Sequence, residues 1–143
     1  MLIKDVMTRH VECVGPDDTL QAAARKMRDL DVGPMPVCGP DGRLAGMVTD
    51  RDITVRATAD GKDPRTCPVR EAMTPEVVYV FEDRDTGEAV RQMKERQIRR
   101  LLVLNRDKKL SGIVSLGDLS VDADKRQAGD VLKDVSEPAE PRR

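Results

Sequence analysis

Aromatic residues are almost absent: Tyr79 and Phe81 stand alone, and there is no Trp. A single-stranded nucleic-acid groove stacks bases on aromatic rings, and this chain has almost nothing to build one from. Charge of one sign is lacking too. Charged residues make up 36% of the chain yet sum to a net −1, without the basic excess of a protein that lives on phosphate backbones. No nucleic-acid partner is therefore expected. No apolar run approaches the ~18 residues of a membrane span, and Met1-Leu2-Ile3-Lys4-Asp5 lacks the apolar core of a signal peptide. The expectation is a cytoplasmic protein without a membrane partner.

Histidine is limited to His10, and cysteine to Cys13, Cys38 and Cys67, an odd count without metal-ligand spacing. That set offers no metal cluster and no Cys-His or other His-containing catalytic constellation, so the chain is not expected to be an enzyme. The cysteines have two readings. They can be small buried hydrophobes. Alternatively, Cys13 and Cys38 fall on two predicted strands of the same half, and as neighbours their thiols form a redox-sensitive pair.

What is present is a repeat. Gly46-Met47-Val48-Thr49-Asp50-Arg51-Asp52 reads as a strand that turns directly into a helix. It recurs as Gly112-Ile113-Val114-Ser115-Leu116-Gly117-Asp118, 66 residues on. The same gapless offset pairs Met7-Thr8 with Met73-Thr74, Val11 with Val77, Ala23 with Ala89, Met27 with Met93, Val37 with Val103 and Leu44 with Leu110. Two copies of one supersecondary unit, each too small to bury its apolar face alone, are expected to pack on each other.

Each copy parses alike. In the first, Val11 to Val14 is a predicted strand, and Gly15-Pro16-Asp17-Asp18 is a turn and helix cap. Leu20, Ala23, Ala24, Met27 and Leu30 then share a helix face. Met35 to Cys38 and Leu44 to Val48 form a hairpin around Gly39-Pro40-Asp41-Gly42, and a helix runs from Asp50 to about Ala59. The second copy has strands at 77–81, 101–104 and 110–114, a helix carrying Ala89, Val90 and Met93, and a last helix starting near Leu116. The expected fold is α+β: two tandem β-α-β-β-α repeats with small mixed sheets and helices on one face. The expected organisation is a first repeat over 1–61, a linker over 62–68, a second repeat over 69–123 and a polar tail over 124–143. Within that tail a helix is expected from Ala128 to Val135, and disorder from Glu137 on.

Taken together, the gapless repeat, both Met-Thr pairs, Met35-Pro36-Val37 with Leu101-Leu102-Val103, and both Gly-x-hydrophobic-Val-Thr/Ser-x-x-Asp corners resemble a tandem pair of cystathionine-β-synthase (CBS) domains, a Bateman module. The resemblance covers roughly residues 2 to 123. It implies repeats related by a pseudo-two-fold axis. It also implies a regulatory module that binds adenosine-containing ligands (AMP, ADP, ATP, S-adenosylmethionine) in clefts between the repeats. No cofactor is obligatory, and the nucleotide is a regulatory ligand. The further partners so implied are a second copy of the chain, as a homodimer, and a separate effector protein. The alternative reading is a nucleotide-free scaffold or redox-responsive dimer using Cys13 and Cys38.

Two uses compete for Thr49/Asp52 and Ser115/Asp118. The spacing is that of a capping box, although Asp reaches back less easily than the usual Glu or Gln. The same groups suit a nucleotide, with the hydroxyl and backbone N–H groups meeting phosphate and the carboxylate taking ribose hydroxyls. By resemblance, the adenine slot is supplied by Thr8, Val11, Met35 and Pro36 in the first half and by Thr74, Val77, Leu101 and Leu102 in the second. Arg99 and Arg100 precede the second strand of the second half, where the first has Gly33-Pro34. They either lie solvated at a helix end or hold phosphate through forked N–H bonds. Arg51 sits beside the first corner, with helix-face solvation as its expected role.

Overall fold

A computed structural model describes residues 1–122, so the expected helix at 128–135 and the expected disordered end lie outside the described residues. Packing follows a different division from the repeats. One compact unit is Glu12–Val77; among the described residues, the other combines Met1–Val11 with residues 78–122.

In the unit Glu12–Val77, helix α1 (Leu20–Leu30) is capped by Thr19, whose hydroxyl accepts a hydrogen bond from the Ala22 N–H at 3.1 Å. It ends at Asp31 in the left-handed conformation (φ 55°). Its apolar face buries Leu20, Ala23 and Met27. Strands β1 (Pro34–Cys38) and β2 (Leu44–Thr49) form the predicted antiparallel hairpin, with Val37 opposite Gly46 and a bulge before Cys38. The strand predicted at 11–14 shrinks to a single parallel bridge between Val14 and Val37. Two prolines explain this. The Val14 N–H donates to the Pro36 carbonyl and the Cys38 N–H to the Val14 carbonyl. The preceding rung needs an N–H at position 36 and the following one an N–H at position 16, and both residues are proline.

In the other unit, Leu102 stands at the repeat position of Pro36, and the ladder forms. Strand β3 (Tyr79–Phe81) pairs parallel with β4 (Arg100–Leu104), which pairs antiparallel with β5 (Leu110–Ser115). Helix α3 (Thr86–Arg96) covers this sheet with Ala89, Val90 and Met93, and β5 runs into α4 (Leu116–Asp122).

Each unit also takes in the segment that precedes the other copy. A 3₁₀ turn at Ile3–Asp5 carries Ile3, Val6 and Met7 into the cluster formed by Val80, Met93, Leu101, Val103 and Val114. Thr8 then exchanges backbone bonds with Ile113. Likewise a 3₁₀ turn at Val69–Glu71 brings Val69 and Ala72 into the cluster of Val14, Leu20, Met35, Val37 and Val48, and Thr74 exchanges bonds with Met47. The repeated glycines follow from this crossing. A Cβ on Gly46 would lie 2.6 Å from the Thr74 carbonyl oxygen, and one on Gly112 would lie 2.6 Å from that of Thr8. Among the described residues no helix is long and apolar enough to cross a membrane.

Candidate functional site

The two corners sit where β2 and β5 pass into helix. At the first, Thr49 keeps an extended backbone (φ −116°, ψ 162°), so its side chain points along the helix that begins at Asp50. Its hydroxyl accepts from the Asp52 N–H at 3.0 Å, and Asp52 Oδ2 accepts from the Thr49 N–H at 3.0 Å. The second corner repeats the pattern: Ser115 Oγ accepts from the Asp118 N–H at 3.2 Å, and Asp118 Oδ2 from the Ser115 N–H at 2.9 Å. Both are complete capping boxes. The shorter arm of Asp does reach back, because the first turn brings its own N–H and carboxylate against the hydroxyl residue. All four side chains are partly buried. Each carboxylate still offers acceptor sites on Oδ1, since the box uses only Oδ2.

Helix α2 (Asp50–Asp52) continues as a π-helical turn over Ile53–Thr58, whereas the sequence suggested one uniform helix. Ile53 packs on the core and Ala57 is buried in it, leaving Arg56 half-exposed. The Arg56 Nε lies 3.8 Å from Asp52 Oδ1, and its Nη1 lies 3.5 Å from the Met73 carbonyl oxygen. Sequence reasoning passed over Arg56; the signal available was its place four residues after Asp52 on a helix.

The structure regroups the expected slot residues. Thr8 was assigned to the first half, but its backbone pairs with Ile113 of β5. Thr74 was assigned to the second half and pairs with Met47 of β2. The reason is the burial of the apolar residues just before each of them. Val11 is half-buried at the end of the first lead-in, and Val77 is half-buried at the end of the second. Met35 and Leu101 belong to the two cores, each about 2% exposed, because strand alternation turns them inward. Pro36 and Leu102 are buried as well, but by the same alternation they face the other side of their strands, outside those clusters. Arg100 is exposed and lies directly opposite Ser115 in the β4–β5 register; the Arg99 carbonyl accepts from the Leu116 N–H at 2.9 Å. Both arginines thus flank the second corner. Arg51 is exposed, and its N–H donates to Asp50 Oδ1.

Cys13 and Cys38 belong to the same unit. The Val14–Val37 bridge sets Cys13 and Cys38 on the face opposite those valines as two free thiols. Burial, then the Cys13 thiol, then the Asp41 carboxylate push the Cys38 pKa up to about 12. Cys67 is buried in the core of the same unit. A shallow groove in the other unit is lined by Asp83, Arg84, Glu88 and Arg91 among others, and includes no corner residue.

Known proteins agree with this architecture. The CBS domain family model matches residues 3–57 and 69–121. Hypoxic response protein 1 of Mycobacterium tuberculosis is 41% identical over 117 residues, covering 82% of this chain and 81% of its own. A crystal structure of hypoxic response protein I with two coordinated zinc ions superposes with a TM-score of 0.73 at 39% identity, over 87% of this chain and all of that one. A structure of CBSX2 in complex with AMP gives 0.69 at 26% identity, over 91% and 97%. The chain belongs to the CBS domain family and carries two tandem copies of that domain. Among its described residues no group of three or more His, Cys, Asp and Glu side chains is placed to hold a metal.

Proposed function

We propose that this protein is a regulatory module that binds adenosine-containing nucleotides at its two corners and reports their presence to a separate partner protein, acting as a homodimer and performing no chemistry of its own. The observation that carries the reading is the matched pair of boxes. Thr49/Asp52 and Ser115/Asp118 make the same bonds, and each leaves a carboxylate oxygen able to accept a ribose hydroxyl. Thr74 and Thr8 flank these corners through their pairing with β2 and β5. Pro36 and Leu102 offer aliphatic surface for an adenine ring, and Arg99 and Arg100 offer charge for phosphate at the second corner. The AMP complex of CBSX2 supports adenine nucleotides as the ligand class.

Thermal melts with AMP, ATP, S-adenosylmethionine and NADH test this. A ligand at a hundred times its dissociation constant stabilises the fold by about 2.7 kcal/mol. A shift with at least one nucleotide, lost in the Asp52→Ala/Asp118→Ala double variant, is expected. No shift with any of the four at millimolar concentration removes the reading.

A second reading is favoured by the placement of Cys13 and Cys38 beside the Val14–Val37 bridge. An oxidant such as glutathione disulfide can take two electrons from the pair. Both thiols lose their protons, one S–S bond forms, and two glutathione thiols leave. Burial holds the proton on Cys38, which makes Cys38 a poor attacking group. A melt unchanged between reductant and oxidised glutathione, with no mass loss of two hydrogens, would sink this reading.

A further inference from the structure

Repeat logic does not point to Arg56. The residue 66 positions later is Asp122, while Arg99-Arg100 of the second copy corresponds to Gly33-Pro34 in the first. Each copy thus carries arginine at a place where the other has none. In the unit Glu12–Val77 that arginine sits in a π-helical turn, an uncommon winding that recurs at functional sites. Its guanidinium spans from Asp52 to the Met73 carbonyl, next to the Thr74 that pairs with β2. Both contacts are long, and the Arg56 side chain is 52% exposed against 17% for Asp52. The oxygen it faces, Asp52 Oδ1, is the one the capping box leaves over.

We infer that Arg56 is the selectivity residue of the first corner. It faces Asp52 while the corner is empty and turns to the ligand's anionic group when Asp52 takes the ribose hydroxyls. The corner therefore prefers phosphorylated nucleosides to nucleosides. This rests on the nucleotide reading above. The physical cause is a change of partner. A nucleoside must part Asp52 from Arg56 and gives the guanidinium nothing in return. A nucleotide brings its own anion, and forked N–H bonds to phosphate are stronger than the present 3.8 Å contact. Asp50, in the same first turn, adds a second negative charge that disfavours an anion not met by a cation. Exposed Arg51 lies between them in sequence.

Calorimetric titration of AMP and adenosine decides the matter, in an Asp118→Ala background so that the first corner alone reports. Arg56→Gln is expected to weaken AMP on the order of tenfold while leaving adenosine unchanged or tighter. Arg56→Lys, which keeps the charge without the fork, should fall between. The preference for AMP should also shrink as salt is raised. Thermal midpoints of the variants serve as the fold control. Equal loss of both ligands, or no change in either, overturns the role of Arg56 while the nucleotide reading survives. If the background protein binds neither AMP nor adenosine, both fail together.

Discussion

Asp52 and Asp118 close a box on their own helix start and keep one oxygen turned away from it. The two uses weighed from sequence are therefore compatible, and substitutions can separate them. Asp52→Ala and Asp118→Ala should each lower the unfolding free energy by about 1 kcal/mol in denaturant melts. Asp118→Glu keeps a side chain that closes boxes well. It should hold stability within about 0.5 kcal/mol yet weaken nucleotide binding, because the carboxylate shifts by a methylene. Spacing alone made the corners legible. Arg56 stood four residues after Asp52 on an expected helix, a weaker signal than the repeat, because the other copy has Asp122 at that place.

The Cys38 thiol is a second residue-scale case. Its pKa is raised to about 12, above that of an unfolded thiol, so the folded state holds the proton more tightly. The stability this gives is complete below the unfolded thiol pKa near 8.5 and is lost as pH rises toward 12. Unfolding free energy should fall as pH rises between these limits. Cys38→Ala should flatten that slope. In alkylation at pH 8, Cys13 should react before Cys38.

At the scale of elements, copies that look alike in sequence differ by one strand. Hydrophobic runs at 11–14 and 77–81 read the same, and both helices and hairpins were legible from apolar spacing and turn residues. What decided the difference was two missing N–H groups, at Pro16 just after the first strand and at Pro36 on the opposite one, which the apolar pattern of residues 11–14 does not register. Leu102→Pro should then cost the second copy the Tyr79 end of its β3 pairing, the Glu82–Leu104 rung remaining. Together with the loss of a buried leucine, this should lower stability by about 3 kcal/mol in thermal unfolding. Gly46→Ala and Gly112→Ala test the crossing of the lead-in segments. Their added methyls meet carbonyl oxygen at 2.6 Å, so backbone must move, at about 1–3 kcal/mol each.

At the scale of the molecule, the repeat shows that there are two like parts, but not which lead-in packs on which part. Met7-Thr8 and Met73-Thr74 are interchangeable in pattern, and only the burial of Ile3, Val6, Val69 and Ala72 settles the matter. Removal of residues 1–7 should behave as a core deletion. Ile3 is fully buried, and its loss with Val6 and Met7 should cost several kcal/mol and open the part of the core that these residues close. Circular dichroism melts of the shortened chain would show it.

A gene fragment ending after Gly61 would keep the hairpin of Pro34–Thr49 but lose the Val69–Met73 stretch that seals its core, while carrying an Ile3–Met7 arm with no home of its own. Because the two arms share one pattern, such fragments should associate by lending each other that arm. Half of this gene should therefore yield a swapped dimer sooner than a lone folded half.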